Sequence, residues 1–154
     1  MGRWFKRIGL GLIAVLVVLQ FFRPERNREP MDPDRDLIST ASPPDQVADL
    51  IRNACYDCHS NQTNYPWYSK VSPVSWYLHQ HISKGREQVN FSEYGSLGKA
   101  DKIRLLDEFY EVLERGDMPL RSYTLIHREG RLSTDEIKAL STWSEQEALR
   151  VMRE

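Results

Sequence analysis

The chain has 154 residues, 21 Lys or Arg against 22 Asp or Glu, a formal net charge of −1, and is 40% hydrophobic and 28% charged. This is the composition of an ordinary globular protein, and the length suits one small domain with an appendage. The mixed, near-balanced charge argues against a nucleic-acid binder, and no internal repeat, low-complexity tract, Gly-rich phosphate loop or hydrolytic triad pattern is present.

The appendage comes first. Arg3, Lys6 and Arg7 precede residues 8–22, fifteen positions without a charge, after which Arg23 and Pro24 break the run. Fifteen residues fall short of the ~20 that a bilayer core requires, but Trp4 and Phe5 extend the apolar length if Lys6 and Arg7 snorkel. The run ends in Leu19-Gln20-Phe21-Phe22, too bulky for a small-x-small cleavage site, which favours an uncleaved anchor over a removed signal peptide. Residues 1–22 are therefore expected to be a transmembrane anchor in the inner (cytoplasmic) membrane. The basic flank would stay inside and the rest of the chain would lie in the periplasm. Without the anchor, 18 bases face 22 acids, a net −4 that implies a modest preference for basic partner surfaces.

Residues 23–42 hold three prolines, many charges and few apolar groups, and read as a flexible linker. A strap along the domain is the alternative for the C-terminal half, where Leu37 and Ile38 could pin it. Residues 43–154 then form the domain. Ser42-Pro43-Pro44-Asp45 reads as a helix start with Ser42 as cap. Val47, Leu50, Ile51 and Ala54 follow at helical spacing and lead straight into Cys55.

Cys55-Tyr56-Asp57-Cys58-His59 is the stretch that carries chemistry. Cys-x-x-Cys-His is the pattern of covalent c-type haem attachment: two thiols on one face of a helical turn reach the two vinyl groups on one edge of a porphyrin. The next imidazole, His59, is then close to the iron as proximal ligand. The pattern occurs once and uses both cysteines, so one haem per chain is implied. A redox dithiol would prefer a βαβ setting, and zinc would want a second ligand pair.

Beyond the motif, Tyr65, Trp67 and Tyr68 surround Pro66. Trp67 and Tyr68 either shield the haem or pack against the first helix, and either Pro66 or Pro73 could offer a carbonyl to His59. Ser72-Pro73 opens a second helix expected to stop at Gly85, with Val74, Tyr77, Leu78, His81 and Ile82 on one face. His81 thus points inward, where a histidine is more often a satisfied core residue than a ligand. A third helix spans residues 99–115, striped by Ile103, Leu106, Phe109, Tyr110 and Leu113 and ended by Gly116. Met118-Pro119 then sets a flexible thioether in a loop. Met118 is the candidate sixth ligand, with His127 as rival; a loop methionine filling a core gap is the bland alternative. Ser133-Thr134-Asp135-Glu136 is a capping box that opens the last helix, expected to pack on the first.

Taken together, residues 42–143 resemble the bacterial haem-binding domain family of cytochrome c-like proteins. The resemblance rests on Cys55 to Asn61, the Tyr65-Pro66-Trp67-Tyr68 passage, Ser72-Pro73, His81-Ile82 with Gly85-Arg86, Asn90-Phe91-Ser92, Met118-Pro119 with Tyr123 and His127, and Leu132-Ser133 to Trp143. It implies an all-α, cytochrome c-like haem domain of about four helices, with covalent haem on Cys55 and Cys58 and His59 as proximal ligand. The expected function is that of a membrane-anchored monohaem cytochrome, not an enzyme, passing single electrons between redox partners in the periplasm or inner membrane. A haem sensor, or an accessory module to a peroxidase or oxidase, is the alternative. A thiol oxidoreductase is a third class.

Overall fold

The computed structural model describes residues 2–26 and 29–154; of the residues read above as linker, Asn27 and Arg28 lie outside it. Among the described residues every regular element is helical: α1 (Gly2–Leu19), α2 (Leu37–Ala41), α3 (Asp45–Ala54), α4 (Tyr56–His59), α5 (Val74–Gln88), α6 (Lys99–Glu114), α7 (Arg121–Thr124) and α8 (Thr134–Arg153). Three 3-10 turns, Trp67–Lys70, Phe91–Ser96 and Arg128–Gly130, join them.

The α6 and α8 stripes form the centre of the core. Leu106, Phe109 and Leu113 meet Leu140, Trp143, Ala148 and Val151, all buried, with Phe109 edge-on to Trp143 at 6.2 Å. Helix α8 starts on a complete capping box, in which Ser133 Oγ accepts from Glu136 N and Ser133 N donates to the Glu136 carboxylate. It packs mainly on α6 and less on α3, because the long α6 stripe offers the larger complementary face. From α3, Val47 and Ile51 enter the same core. Tyr94 sits fully buried beneath it and donates from its hydroxyl to Glu147 Oε1, a carboxylate also held by Arg150.

Two helix boundaries differ from the sequence expectation for identifiable reasons. Ser42 does not cap α3. It sits at φ 49°, ψ 53° and closes α2, while α3 begins after Pro44. Pro44 keeps Pro43 out of helical geometry, so no helix can start before the second proline. Nor does Gly85 stop α5, which continues to Gln88. Gly85 is instead where α5 touches the motif helix: a Cβ there would lie 2.7 Å from the Cys58 carbonyl oxygen.

The second half of the segment read as a linker is packed. Leu37 and Asp36 are buried, Tyr56 donates to Asp36 Oδ1 at 2.8 Å, and Gly95 N donates to Arg35 O at 2.7 Å. Leu37 therefore pins a strap over the 3-10 turn of Phe91–Ser96.

The transmembrane anchor is corrected. No helix among the described residues is long and apolar enough to cross a membrane, which overturns the single-pass anchor in the inner membrane and removes the topology argument that put the haem domain in the periplasm. Helix α1 has 18 residues, three of them the charged Arg3, Lys6 and Arg7. Its uncharged part, residues 8–19, rises only about 18 Å against the ~30 Å of a hydrocarbon core. The apolar residues beyond Leu19 do not prolong it, because the chain there is bonded to the domain. Gln20 Nε2 donates to Ser72 O (2.9 Å), Ser72 N donates to Gln20 Oε1 (3.0 Å), and Trp76 Nε1 donates to Phe22 O (2.5 Å).

Candidate functional site

The motif residues occupy one turn. Cys58 N and His59 N both donate to Cys55 O, at 3.1 and 2.9 Å, so Cys55, Cys58 and His59 follow one another around a single helical step. Both cysteines are free thiols. They face a cavity of about 320 Å³ between α4, α5, α6 and the loop after α6. That size falls at the lower end of small-molecule sites. Its walls are mostly apolar: Leu105, Phe109, Val112 and Leu113 from α6, Phe91 and Val89, and Pro119 and Leu120. Cys55, Cys58, His59, His81 and Met118 all line it.

Electrostatics follow from this burial. Desolvation pushes the Cys55 thiol up to about 12, with Cys58 adding to it. Cys58 is pushed up to about 11 by burial and then by Asp57, against a smaller opposing effect of Arg86. Both sulfurs therefore hold their protons near neutral pH, the opposite of the activated thiolate that a disulfide oxidoreductase needs. Burial likewise pushes His59 below the usual imidazole range, so its ring is neutral. Its Nδ1 lies 3.2 Å from Val89 O. A carbonyl only accepts, so Nδ1 carries the proton and Nε2 keeps its lone pair for a metal. The orienting carbonyl is thus that of Val89, not of Pro66 or Pro73. Val89 reaches this position because α5 continues past Gly85 and ends at it. Phe91, 5.8 Å from the His59 ring, closes the other side.

Met118 reaches the cavity through the end of α6. Gly116, at φ 69°, turns the chain, and Asp117 N and Met118 N both donate to Val112 O. The loop is then stitched to the motif helix. The Tyr123 hydroxyl lies 2.9 Å from Asp57 Oδ2 and 3.1 Å from Asn53 O, while Asp57 Oδ1 accepts from Asn64 N at 2.9 Å. Asp57, between the two cysteines, is a hub that sequence reading passed over. So were Tyr123 as its partner and Gly85 as the contact point. Gly85 carried only the signal of a helix stop, and Asp57 and Tyr123 stood out only as parts of longer stretches.

The remaining expected residues are placed elsewhere or shared. Trp67 and Tyr68 line no part of the cavity: Trp67 is 78% exposed, and Tyr68 turns to His127, its hydroxyl 2.5 Å from Nε2. The 3-10 turn of Trp67–Lys70 points them outward. His127 is outside the cavity as well, both its nitrogens engaged, Nε2 by Tyr68 and Nδ1 by Glu129 at 3.2 Å. His81 does line the cavity, with Nδ1 donating to Tyr77 O at 2.8 Å.

The neutral His59 imidazole, the His81 ring, one thioether and two protonated thiols in an apolar cavity are a donor set that fits haem better than a hard cation, which would want oxygen ligands. No curated protein and no solved structure matches the chain. A family model described as haem-binding domain matches residues 14–146, which take in every cavity residue named above. The chain belongs to the haem-binding domain family, and it is a haem-binding protein.

Proposed function

We propose that the chain is a monohaem c-type cytochrome and electron carrier, not an enzyme in itself. Cys55 and Cys58 would hold one haem covalently, and His59 and Met118 would be the side chains that hold its iron. The observation that carries this reading is that all four side chains line one apolar cavity. Haem bound there supplies a one-electron ferrous/ferric couple. The chain's own residues do the rest. The Val89 carbonyl fixes the tautomer of His59, the Asp57–Tyr123 hydrogen bond ties the methionine loop to the motif helix, and the α6 side chains keep water out. A soft thioether and an apolar surround both favour the reduced state.

The test is the protein expressed with c-haem maturation. Haem should stay with the polypeptide on acidic organic extraction, and the oxidised protein should show the weak near-infrared band of methionine ligation. Met118→Ala should lose that band and keep the covalent haem. A second reading, a haem sensor, is favoured by His81 lining the same cavity as Met118. If the band is missing from wild type and carbon monoxide binds the reduced protein quickly, sensing replaces electron carriage.

A further inference from the structure

Outside the cavity, aromatic and charged side chains converge on one face. Tyr123 lines the cavity and stacks on His127, ring centroids 4.5 Å apart and planes 9° from parallel. His127 Nε2 is 2.5 Å from the Tyr68 hydroxyl, and Tyr68 meets Trp67 edge-on at 5.8 Å. A continuous route of ring and hydrogen-bond contacts thus runs from the cavity wall to Trp67. Leu125 and Ile126, directly before His127, are 74% and 61% exposed. Trp67 precedes Tyr68 and Ile126 precedes His127 in the chain, so an exposed apolar residue adjoins each partner of the Tyr68–His127 hydrogen bond.

The charge around this face is the reverse of the molecule's. Residues 121–131 hold Arg121, Arg128 and Arg131 against Glu129, a local +2, so with −1 overall the remainder carries −3. All three arginines are exposed, and none makes an ion pair among the described residues. Lys70, exposed at the end of the Trp67 turn, adds to them. An apolar centre with a net-positive rim suits a transient protein encounter, in which the rim steers and the centre excludes water.

We infer that this face, centred on Trp67, Leu125 and Ile126 and rimmed by Arg121, Arg128 and Arg131, docks an acidic redox protein. The inference rests on the electron-carrier reading. It also reverses the preference for basic partners drawn from total charge, since an encounter responds to the local field. In the docked pair one electron passes from the reduced haem protein to the oxidised acceptor, and no bond or proton changes hands.

The test uses the full-length holoprotein with plastocyanin, an acidic blue-copper protein, as probe. Binding is followed by amide NMR shifts and electron transfer by stopped flow, each at low and high salt. Shifts should centre on Trp67 and residues 121–131. Arg121→Glu with Arg128→Glu should weaken binding and slow transfer by about tenfold or more at low salt, with the difference shrinking at high salt. Trp67→Ala should weaken binding at both. Transfer to benzoquinone, a neutral small oxidant, should be unaltered in every variant. Plastocyanin binding unchanged in both variants, or stronger wild-type binding to a basic mitochondrial cytochrome c, would overturn the face alone. A wild-type protein that passes no electron to benzoquinone overturns the carrier reading, and the inference with it.

Discussion

Replacing Gly85 by alanine is the sharpest test of how the site is built. The added Cβ would stand 2.7 Å from Cys58 O, 3.3 Å from Cys58 C and 3.4 Å from Cys58 Cβ. Two of those atoms are backbone, so no side chain can swing aside and α5 must move away from α4. Overpacking of this kind costs about 1–3 kcal/mol. The better helix propensity of alanine returns about 1 kcal/mol, since Gly85 lies inside α5. The net loss should be up to about 2 kcal/mol, which for a chain of this size is a fall in Tm of up to roughly 4–8 °C. The shift should also loosen the Nδ1–Val89 contact that orients His59 and weaken the near-infrared band. Thermal melts of the holoprotein, with Gly11→Ala as control, provide the assay, because a Cβ at Gly11 meets nothing within 4 Å. A Gly85→Ala protein as stable as wild type, with an unaltered spectrum, would refute the reasoning.

Tyr123→Phe removes a hydroxyl shared between Asp57 and Asn53 and should cost about 1–2 kcal/mol in urea denaturation, with a weaker methionine band as the loop loosens. Ser133→Ala breaks the capping box of α8 and should cost about 1 kcal/mol without touching the spectrum. Tyr56, Tyr94 and Tyr123 all have their pKa raised, by burial first and then by Asp36, Glu147 and Asp57 respectively. Folding therefore favours their protonated forms. The stability they contribute is whole below the ordinary tyrosine pKa of about 10 and is lost as pH rises above it. Urea midpoints should fall in that alkaline window, and in an absorbance titration these tyrosines should ionise only with unfolding. Uniform titration of every tyrosine near 10 in a still-folded protein would disprove it.

Much of this molecule was legible residue by residue. The stripes of α6 and α8, the Ser133–Glu136 capping box and the order Cys55, Cys58, His59 are all written within a few positions of the chain. Helical periodicity and caps are local, so the sequence by itself determined an all-helical chain and the donors available to a haem. What it left open depended on segments far apart in the chain. Gly85 looked like a helix stop and proved to be the point where two helix backbones touch. His127 looked like a rival ligand, but Tyr68 and Glu129 occupy both its nitrogens. The apolar run after Lys6 and Arg7, short by itself, read as an anchor extended by Trp4 and Phe5, but Gln20 and Phe22 are bonded to Ser72 and Trp76 and the helix ends at Leu19. Each outcome was decided by which hydrogen-bonding group or close-packed backbone the tertiary fold brought alongside. A buried polar atom must be satisfied, and a close contact excludes a side chain, whatever the local pattern prefers.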